Sequence, residues 1–266
     1  MTSDLLDIDS MPRGGPDASW LDRRMQTDRL EYLDRDDVDD LKRRVIQALD
    51  RGAQRLGHND LLADTVLAEV RDVPNPRILE LGAGHGGLSR ALLQRCPSAH
   101  VTVTDVDPTS VAEIAASELG HHPRATVRQL DATQIEAPDS SYDVAVFAQS
   151  FHHLRPRRAA KVFAEGTRVA DKLLIADLPR LPPWRQALQF PLMLPFAMMF
   201  PVVHDGVISA LRAYSPSALT ALARYADPEI SVDVRRTAFN IRGRWQLAVA
   251  RRTLGAAVTE SDPGSP

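Results

Sequence analysis

The chain has 266 residues, of which 44% are hydrophobic and 25% charged, and these values are ordinary for one soluble α/β domain with added elements. The formal net charge is −3, which argues against electrostatic capture of nucleic acid. The single cysteine, Cys96, excludes a disulfide framework within the chain and is typical of a reducing compartment. Because the acidic N-terminus lacks the features of a secretory signal, we expect a cytoplasmic protein.

The N-terminal part of the chain is predicted to form a helical cap. Residues 1–19 are acidic and contain a cluster of proline and glycine, so we expect them to be disordered. From residue 20 to 73, hydrophobic residues recur every three to five positions in a charged background, which is the pattern of amphipathic helices.

Residues 74–252 alternate short apolar segments with helical ones. Strands are predicted at 77–81, 100–104, 126–130, 143–148, 172–176, 230–234 and 245–250, and helices at 87–94, 110–119, 157–169 and 217–225. The first five strands are apolar on both faces, which is typical of a parallel sheet covered by helices on both sides. We therefore predict an α/β fold with a Rossmann-like, mostly parallel seven-stranded sheet, followed by a disordered tail at 253–266.

The first predicted strand runs into a glycine-rich turn at residues 82–87. Such a turn between a strand and a helix indicates a nucleotide-like ligand that lies against the backbone. The acid Glu80 stands two residues before the first glycine, where a carboxylate would repel a pyrophosphate. A ligand with an amino group and a sulfonium would suit that position better.

Polar residues also follow the next three predicted strands, and in a parallel sheet these positions share one edge. Asp105 ends the second strand, where a carboxylate can accept both hydroxyls of a ribose. Asp131 follows the third strand and can accept an adenine amino group beside the small Ala132, although a turn cap is the structural alternative. Gln149 follows the fourth strand.

These segments together resemble the class I S-adenosylmethionine-dependent methyltransferases over about residues 75–178. The resemblance rests on Ile78-Leu-Glu-Leu-Gly-Ala-Gly-His-Gly, Asp105-Val-Asp-Pro, Leu130-Asp-Ala, and Tyr142-Asp-Val-Ala-Val with the later Phe151-His-His-Leu. The last segment is similar to the small-molecule enzymes related to the ubiquinone and menaquinone methyltransferases. The resemblance implies S-adenosylmethionine as the cofactor, and cofactor contacts from Glu80, Gly82, Ala83, Gly84, Asp105, Val106, Asp131, Ala132 and Gln149.

Methyl transfer from a sulfonium needs alignment of the acceptor and exclusion of water, and a hydroxyl acceptor also benefits from a general base. The candidate bases are His152, His153 and His204, and for each of them a packed structural role is the alternative. We expect at most one of the adjacent pair, His152 and His153, to point into the pocket. No Cys/His cluster has ligand spacing along the sequence, so we expect no metal.

The segment 181–215 interrupts the alternation with a proline-punctuated, methionine-rich apolar stretch. Pro191, Pro195 and Pro201 argue against one long regular helix. Such an adaptable apolar surface suits a lipophilic ligand, although a buried helix or a dimer contact would explain it equally well. We predict that this insertion and the N-terminal helices close over the cofactor as a lid. The residues expected to contact the acceptor or to form the lid are Met25, Tyr32, Met198, Phe200, Arg212 and Tyr214.

The sequence therefore predicts a methyltransferase that acts on O or N of a small lipophilic or aromatic metabolite. Two alternatives stay open: a nicotinamide-dependent oxidoreductase that uses the same glycine turn, and a non-catalytic regulatory protein that binds the cofactor. Beyond the small-molecule acceptor, we expect no nucleic-acid partner. A weak contact with a membrane surface and a homodimer both remain open.

Overall fold

The computed structural model describes residues 7–32, 35, 37, 39–236 and 245–253. The strands are β1 (Arg77–Leu81), β2 (His100–Asp105), β3 (Ala125–Gln129), β4 (Val144–Ala148), β5 (Leu173–Asp177), β6 (Ile230–Arg236) and β7 (Gln246–Arg252). The helices are α1 (Trp20–Arg24), α2 (Asp39–Leu56), α3 (His58–Glu69), α4 (Gly87–Arg95), α5 (Pro108–Ala116), α6 (Pro156–Val169), α7 (Pro183–Met199), α8 (Pro201–Arg212) and α9 (Pro216–Ala226).

The strands form one seven-stranded sheet in the order β3-β2-β1-β4-β5-β7-β6. The first five strands in this order are parallel, and β7 is antiparallel to both of its neighbours. This architecture confirms the predicted Rossmann-like, mostly parallel sheet. The strand order reverses between β1 and β4, and ligands bind such sheets outside the carboxyl ends of the strands at that point.

Successive residues of β1 enter the cores on opposite faces of the sheet, as the two-residue period of a strand requires. Leu79 and Leu81 pack in one core with Phe163 of α6, and Ile78 packs in the other with Leu92 of α4. Each of these side chains is fully buried, and such burial stabilises the fold by about 1.5–3 kcal/mol per residue. Since both faces are covered at the centre of the sheet, β4 and β5 read as nearly continuous apolar runs, whereas the edge strand β3 carries Arg128 and Gln129.

The N-terminal segment differs from the prediction, because residues 7–19 are packed against the domain. Ile8 and Met11 are buried in the core, and Arg13 is 4% exposed. The Arg13 Nη1 donates to His152 O at 3.0 Å and to Leu154 O at 2.9 Å. The proline and glycine cluster therefore makes turns rather than disorder. Residues 1–6 lie outside the described part of the chain, as do residues 254–266 of the predicted tail.

The predicted helical cap is also interrupted. α1 has five residues, and most of the chain from 25 to 32 has no regular secondary structure before α2 begins at Asp39. Asp22 of α1 is fixed by Arg180, whose Nε donates to Asp22 Oδ1 at 2.8 Å in a buried pair. This ion pair holds the N-terminal segment beside the chain that leads into α7.

The insertion forms two helices, and only one of the three prolines breaks it. The segment is not one long helix, as expected, because it divides at Phe200; α7 itself nevertheless continues through Pro191 and Pro195. Pro201 begins α8, where its missing N–H costs no helical hydrogen bond. Within the described residues, no helix combines the length and the hydropathy needed to cross a membrane.

Candidate active site

The glycine turn after β1 has backbone angles that favour glycine. Gly82 and Gly84 have φ values of 65° and 55°, in the left-handed region that favours glycine. A Cβ on Gly82 would lie 2.7 Å from Phe147 Cε2, whereas a Cβ on Gly84 would meet no atom within 4 Å. Ala83 N donates to Thr104 O at 2.8 Å and ties the turn to β2. The turn is therefore fixed on its inner side and open at Gly84.

Asp105 lies beside this open turn. Its Oδ2 accepts from Gly84 N at 2.9 Å, and its Oδ1 accepts from Asp107 N at 3.0 Å. The carboxylate is half-exposed, and Val106, which follows it, is 57% exposed. Asp105, the residue predicted to bind the ribose, thus stands next to the glycine backbone that is predicted to pass under the cofactor.

Asp131 caps a turn, as its structural alternative proposed, and its side chain remains half-exposed. Its Oδ1 accepts from Thr133 N and Thr133 Oγ1 at 2.8 Å, and its Oδ2 lies 3.0 Å from Arg158 Nη2. Partial burial opposes ionisation, yet the Thr133 and Arg158 donors hold the pKa of Asp131 below its usual value. The adjacent Ala132 packs half-buried against the core. This edge of the site therefore presents a carboxylate beside a small residue.

Gln149 adopts a backbone conformation that is uncommon for a residue with a side chain. Its φ is 62°, and such strain costs about 1–3 kcal/mol and concentrates at functional sites. Its N–H donates to Ala176 O at 2.7 Å, so the strained conformation is locked to β5. The side chain is exposed at the carboxyl end of β4, on the edge where ligands bind.

Glu80 is 3% exposed, and its carboxyl group accepts a hydrogen bond from Ser89 Oγ of α4. Burial raises the pKa of Glu80 to about 7, and the Ser89 hydrogen bond opposes that rise. Glu80 therefore titrates near neutral pH. A cationic ligand nearby would favour the carboxylate form.

A second group of polar side chains lies beyond the ends of β4 and β5. We call it the Glu31 cluster, and its members are Glu31, His152, His153, Ser209 and Arg212. Glu31 Oε1 accepts from Ser209 Oγ at 2.8 Å and lies 3.9 Å from Arg212 Nη1. His152 Nε2 lies 3.5 Å from Glu31 Oε1, and His153 Nε2 lies 3.9 Å from Glu31 Oε2. Glu31 is 2% exposed, so this carboxylate is stabilised by cations rather than by water.

His152 lies between two carboxylates. Its Nδ1 is 2.8 Å from Asp177 Oδ1, and its backbone N–H donates to Asp177 Oδ2 at 2.8 Å. Burial alone would lower the pKa of His152, but Asp177 and Glu31 raise it to about 9. His152 is therefore an imidazolium at neutral pH, which does not favour its predicted role as a general base. Its charge instead balances Asp177 and Glu31.

His153 and His204 are the more accessible of the predicted bases. The side chains are 23% and 33% exposed, compared with 4% for His152. His204 Nδ1 lies 3.0 Å from Asp205 Oδ1, and its ring lies 4.5 Å from the ring of Tyr32 at a tilt of 36°. Because Glu31 contacts His153 and Tyr32 contacts His204, the two histidines flank the same short segment.

The fold also brings together groups that are far apart in sequence and suited to metal binding. One ligand atom each of Glu31, His152 and His153 lies within 4.8 Å of the others. The lack of ligand spacing along the sequence does not exclude such a cluster, and the expectation of no metal stays a prediction. His152 would have to release a ring proton to bind a metal, and Asp177 on its Nδ1 would then serve as the carboxylate that commonly orients a metal-binding histidine.

The residues predicted to contact the acceptor lie in different environments. Met198 and Phe200 are 83% and 49% exposed, so their side chains do not form the expected inner lining of a lid. Tyr214 is a core residue whose hydroxyl donates to Leu154 O at 2.8 Å, which does not favour acceptor binding. Arg212 is buried in the Glu31 cluster, where its Nη2 donates to His153 O at 2.8 Å. Met25 contributes its backbone O to Arg180 Nη2 at 2.9 Å.

Sequence reasoning missed Glu31, Asp177 and Arg180. Asp177 ends β5 and follows the same rule that identified Asp105, so the position of a strand end was a usable signal. Glu31 and Arg180 lie in segments without a periodic pattern, and their roles arise from tertiary contacts alone.

A family model described as a methyltransferase domain matches residues 78–172. The malonyl-[acyl-carrier protein] O-methyltransferase of Geobacter sulfurreducens is 32% identical over 142 residues, covering 51% of this chain and 52% of that protein. The chain spans about half the length of the curated relatives it matches.

Solved structures share the fold. Magnesium protoporphyrin IX methyltransferase from Synechocystis PCC 6803, with bound SAH, has a TM-score of 0.57 and 19% identity, covering 82% of this chain and 95% of that one. The cyclase SpnF has a TM-score of 0.54 and 17% identity, covering 74% and 81%. The family match, the fold and the glycine turn favour S-adenosylmethionine over a nicotinamide cofactor. Residues 78–172 therefore match the methyltransferase domain family, and they lie in a fold shared with methyltransferases of known structure.

Proposed function

We propose that the protein transfers a methyl group from S-adenosylmethionine to an oxygen atom of a small lipophilic molecule. The observation that carries the proposal is that two accessible histidines flank one short segment: His153 Nε2 lies 3.9 Å from the buried carboxylate of Glu31, and the His204 ring lies 4.5 Å from that of the next residue, Tyr32. Acid–base groups at this edge suit an acceptor that must lose a proton.

The residues around the glycine turn fit the cofactor. The open backbone at Gly84 admits a close ligand, Asp105 offers carboxylate oxygens to a ribose, and Glu80 offers a titratable carboxyl to an amino group. When bound, S-adenosylmethionine supplies an electrophilic methyl group on a positively charged sulfur. The protein's contribution is to orient the acceptor and to exclude water.

His204 is the better placed of the two bases. Asp205 Oδ1 also accepts from Tyr32 N at 2.9 Å, so the carboxylate is held firmly beside the imidazole. With Nδ1 bound to this carboxylate, the imidazole presents Nε2 to an acceptor hydroxyl. This arrangement of base and orienting carboxylate recurs in enzymes that remove protons from hydroxyl groups.

The acceptor class follows from the residues around the histidines. α8, which carries His204, follows the apolar helix α7 directly, and the Tyr32 ring contacts the His204 ring. The Geobacter sulfurreducens relative is named as an O-methyltransferase, and its name supports oxygen as the acceptor atom. A phenol, an enol or a carboxylic acid with an apolar body would satisfy these surroundings.

The test is methyl transfer from isotopically labelled S-adenosylmethionine to a panel of lipophilic phenols, enols, acids, amines and heterocycles. We expect O-methyl products, with formation of one S-adenosylhomocysteine per product. His204→Ala should lower kcat by about 10²–10⁴-fold with little change in the cofactor KM, because a base acts on the chemical step.

The matched control is His100→Ala, which removes an exposed histidine at the amino end of β2, on the opposite edge of the sheet. This variant should keep the full rate. Methylation only of nitrogen acceptors would refute the proposal, as would undiminished rates in both His153→Ala and His204→Ala. A chelator arm tests the metal: loss of transfer that a divalent ion restores would assign Glu31, His152 and His153 as ligands.

A further inference from the structure

The outer surface of α7 is apolar and exposed. We call it the α7 face, and it consists of Trp184, Leu188, Leu192, Leu194, Phe196, Met198, Met199 and Phe200, each between 48% and 83% exposed. The sequence carries no Asp, Glu, Lys or Arg from residue 186 to 203. Surface helices usually place polar residues outward, so this composition is unusual for a helix in contact with water.

The inner stripe of α7 is narrow. Gln186 is fully buried, and Phe190, Met193 and Ala197 are half-buried at the three- and four-residue spacing of one helix face. These residues fix the helix against the body of the protein. The remaining surface is therefore presented to the outside, and it is suited to another apolar environment.

The rim of this surface combines tryptophan with arginine. The Arg185 guanidinium lies 5.5 Å from the ring centroid of Trp184, and the Arg24 guanidinium lies 5.7 Å from that of Trp20. Trp20 is 72% exposed on α1, which packs against α7. Tryptophan rings and arginine side chains favour the boundary between acyl chains and phosphate headgroups.

We propose that the α7 face docks on the surface of a lipid bilayer. α7 lies in the interfacial plane with its apolar side chains in the acyl region, and the arginines of the rim contact phosphate groups. The helix does not cross the membrane, in agreement with its length and hydropathy. Docking stands on the exposed surface alone and does not depend on the proposed methyl transfer.

The test is flotation of the full-length protein with vesicles of phosphatidylcholine, alone and with phosphatidylglycerol. We expect the protein to float with both, and more strongly with the anionic lipid. The double variant Leu188→Glu/Leu192→Glu should bind at least about tenfold more weakly, since charged side chains are costly in the acyl region. Tyr225→Glu is the control, because Tyr225 is 44% exposed on α9, away from this face.

Tryptophan fluorescence gives a second readout. Trp20 and Trp184 should shift to shorter wavelength on vesicles, whereas Trp245 is 7% exposed and should not respond. Trp20→Phe/Trp184→Phe should therefore abolish the shift. A thermal shift with S-adenosylhomocysteine verifies that each variant is folded.

Two outcomes would overturn the proposal. One is a wild-type protein that stays out of the vesicle fraction while forming a dimer that Leu188→Glu/Leu192→Glu dissociates, since the face would then belong to a second copy. The other is a monomer that ignores vesicles of both compositions. Either result leaves the methyl-transfer assay unaffected.

Discussion

The charge on His152 predicts a distinctive loss of stability at alkaline pH. The pKa of His152 is raised to about 9 by Asp177 and Glu31, compared with about 6.5 in an unfolded chain. Because the folded-state pKa is the higher one, the stabilisation is complete below pH 6.5 and disappears as the pH rises through 9. The difference between the two pKa values corresponds to about 3 kcal/mol.

The measurement is the free energy of unfolding in urea at several pH values between 6 and 10. The wild type should lose about 3 kcal/mol more over this range than His152→Gln, which cannot gain the charge. Asp177→Asn should also reduce the pH dependence, because it removes the carboxylate that lies 2.8 Å from His152 Nδ1. Glu118→Gln is the control, since it neutralises an exposed acid that pairs only with Arg90 at the surface.

Equal pH dependence in the wild type and in His152→Gln would refute this account. It would show that His152 is neutral in the folded protein and that another cation balances the negative charge of the Glu31 cluster. A nuclear magnetic resonance titration of the His152 ring would give the same answer directly, with a midpoint near 9 expected.

Three further predictions concern the cofactor side and the N-terminal segment. Asp105→Ala should weaken S-adenosylmethionine binding at least about tenfold in calorimetry, because it removes the ribose acceptor and the Gly84 hydrogen bond; unchanged affinity would refute the assignment. Cofactor binding should release a proton near pH 6–7, because the pKa of Glu80 in the free protein is about 7 and a cation favours its ionised form. Binding should therefore weaken below pH 7 in the wild type but not in Glu80→Gln. Equal behaviour of the two proteins would show that Glu80 serves only to connect β1 with α4. Arg180→Met should lower the free energy of unfolding by about 3–5 kcal/mol, because it leaves buried Asp22 unpaired, whereas Arg90→Met should cost less than about 1 kcal/mol.

The sheet could be predicted from the sequence because its strands carry their own signals. Apolar runs of five to seven residues separated by helical segments define a parallel sheet covered on both faces, and the predicted and observed strands agree to within two residues at each end. The candidate cofactor residues could be predicted from the sequence for the same reason. Asp105 ends β2, Asp131 follows β3 and Glu80 lies one residue before the end of β1, so correct strands place them near one edge.

The N-terminal segment could not be predicted, since its order depends on tertiary contacts. Ile8 and Met11 are isolated apolar residues in an acidic, glycine-containing stretch that resembles a disordered tail. The segment is fixed by Arg13, which donates to the carbonyls of His152 and Leu154. A local pattern cannot reveal a hydrogen bond that spans about 140 positions.

Similarly, α7 continues through Pro191 and Pro195, although local rules predict that proline breaks a helix.

The two sides of the candidate site have different origins in the chain, and this difference bears on specificity. The glycine turn, Glu80 of β1, Asp105 at the end of β2 and Asp131 after β3 all lie within residues 78–172, the part that matches the methyltransferase family model. Glu31, His204 and Arg212 lie outside that part, on the N-terminal segment and on α8. Glu31 and Arg212 contact His152 or His153, and His204 contacts Tyr32, so the proposed acceptor side is assembled from regions that flank the matched domain. A domain that binds one cofactor can therefore serve many acceptors, because changes in the flanking segments leave the cofactor residues in place.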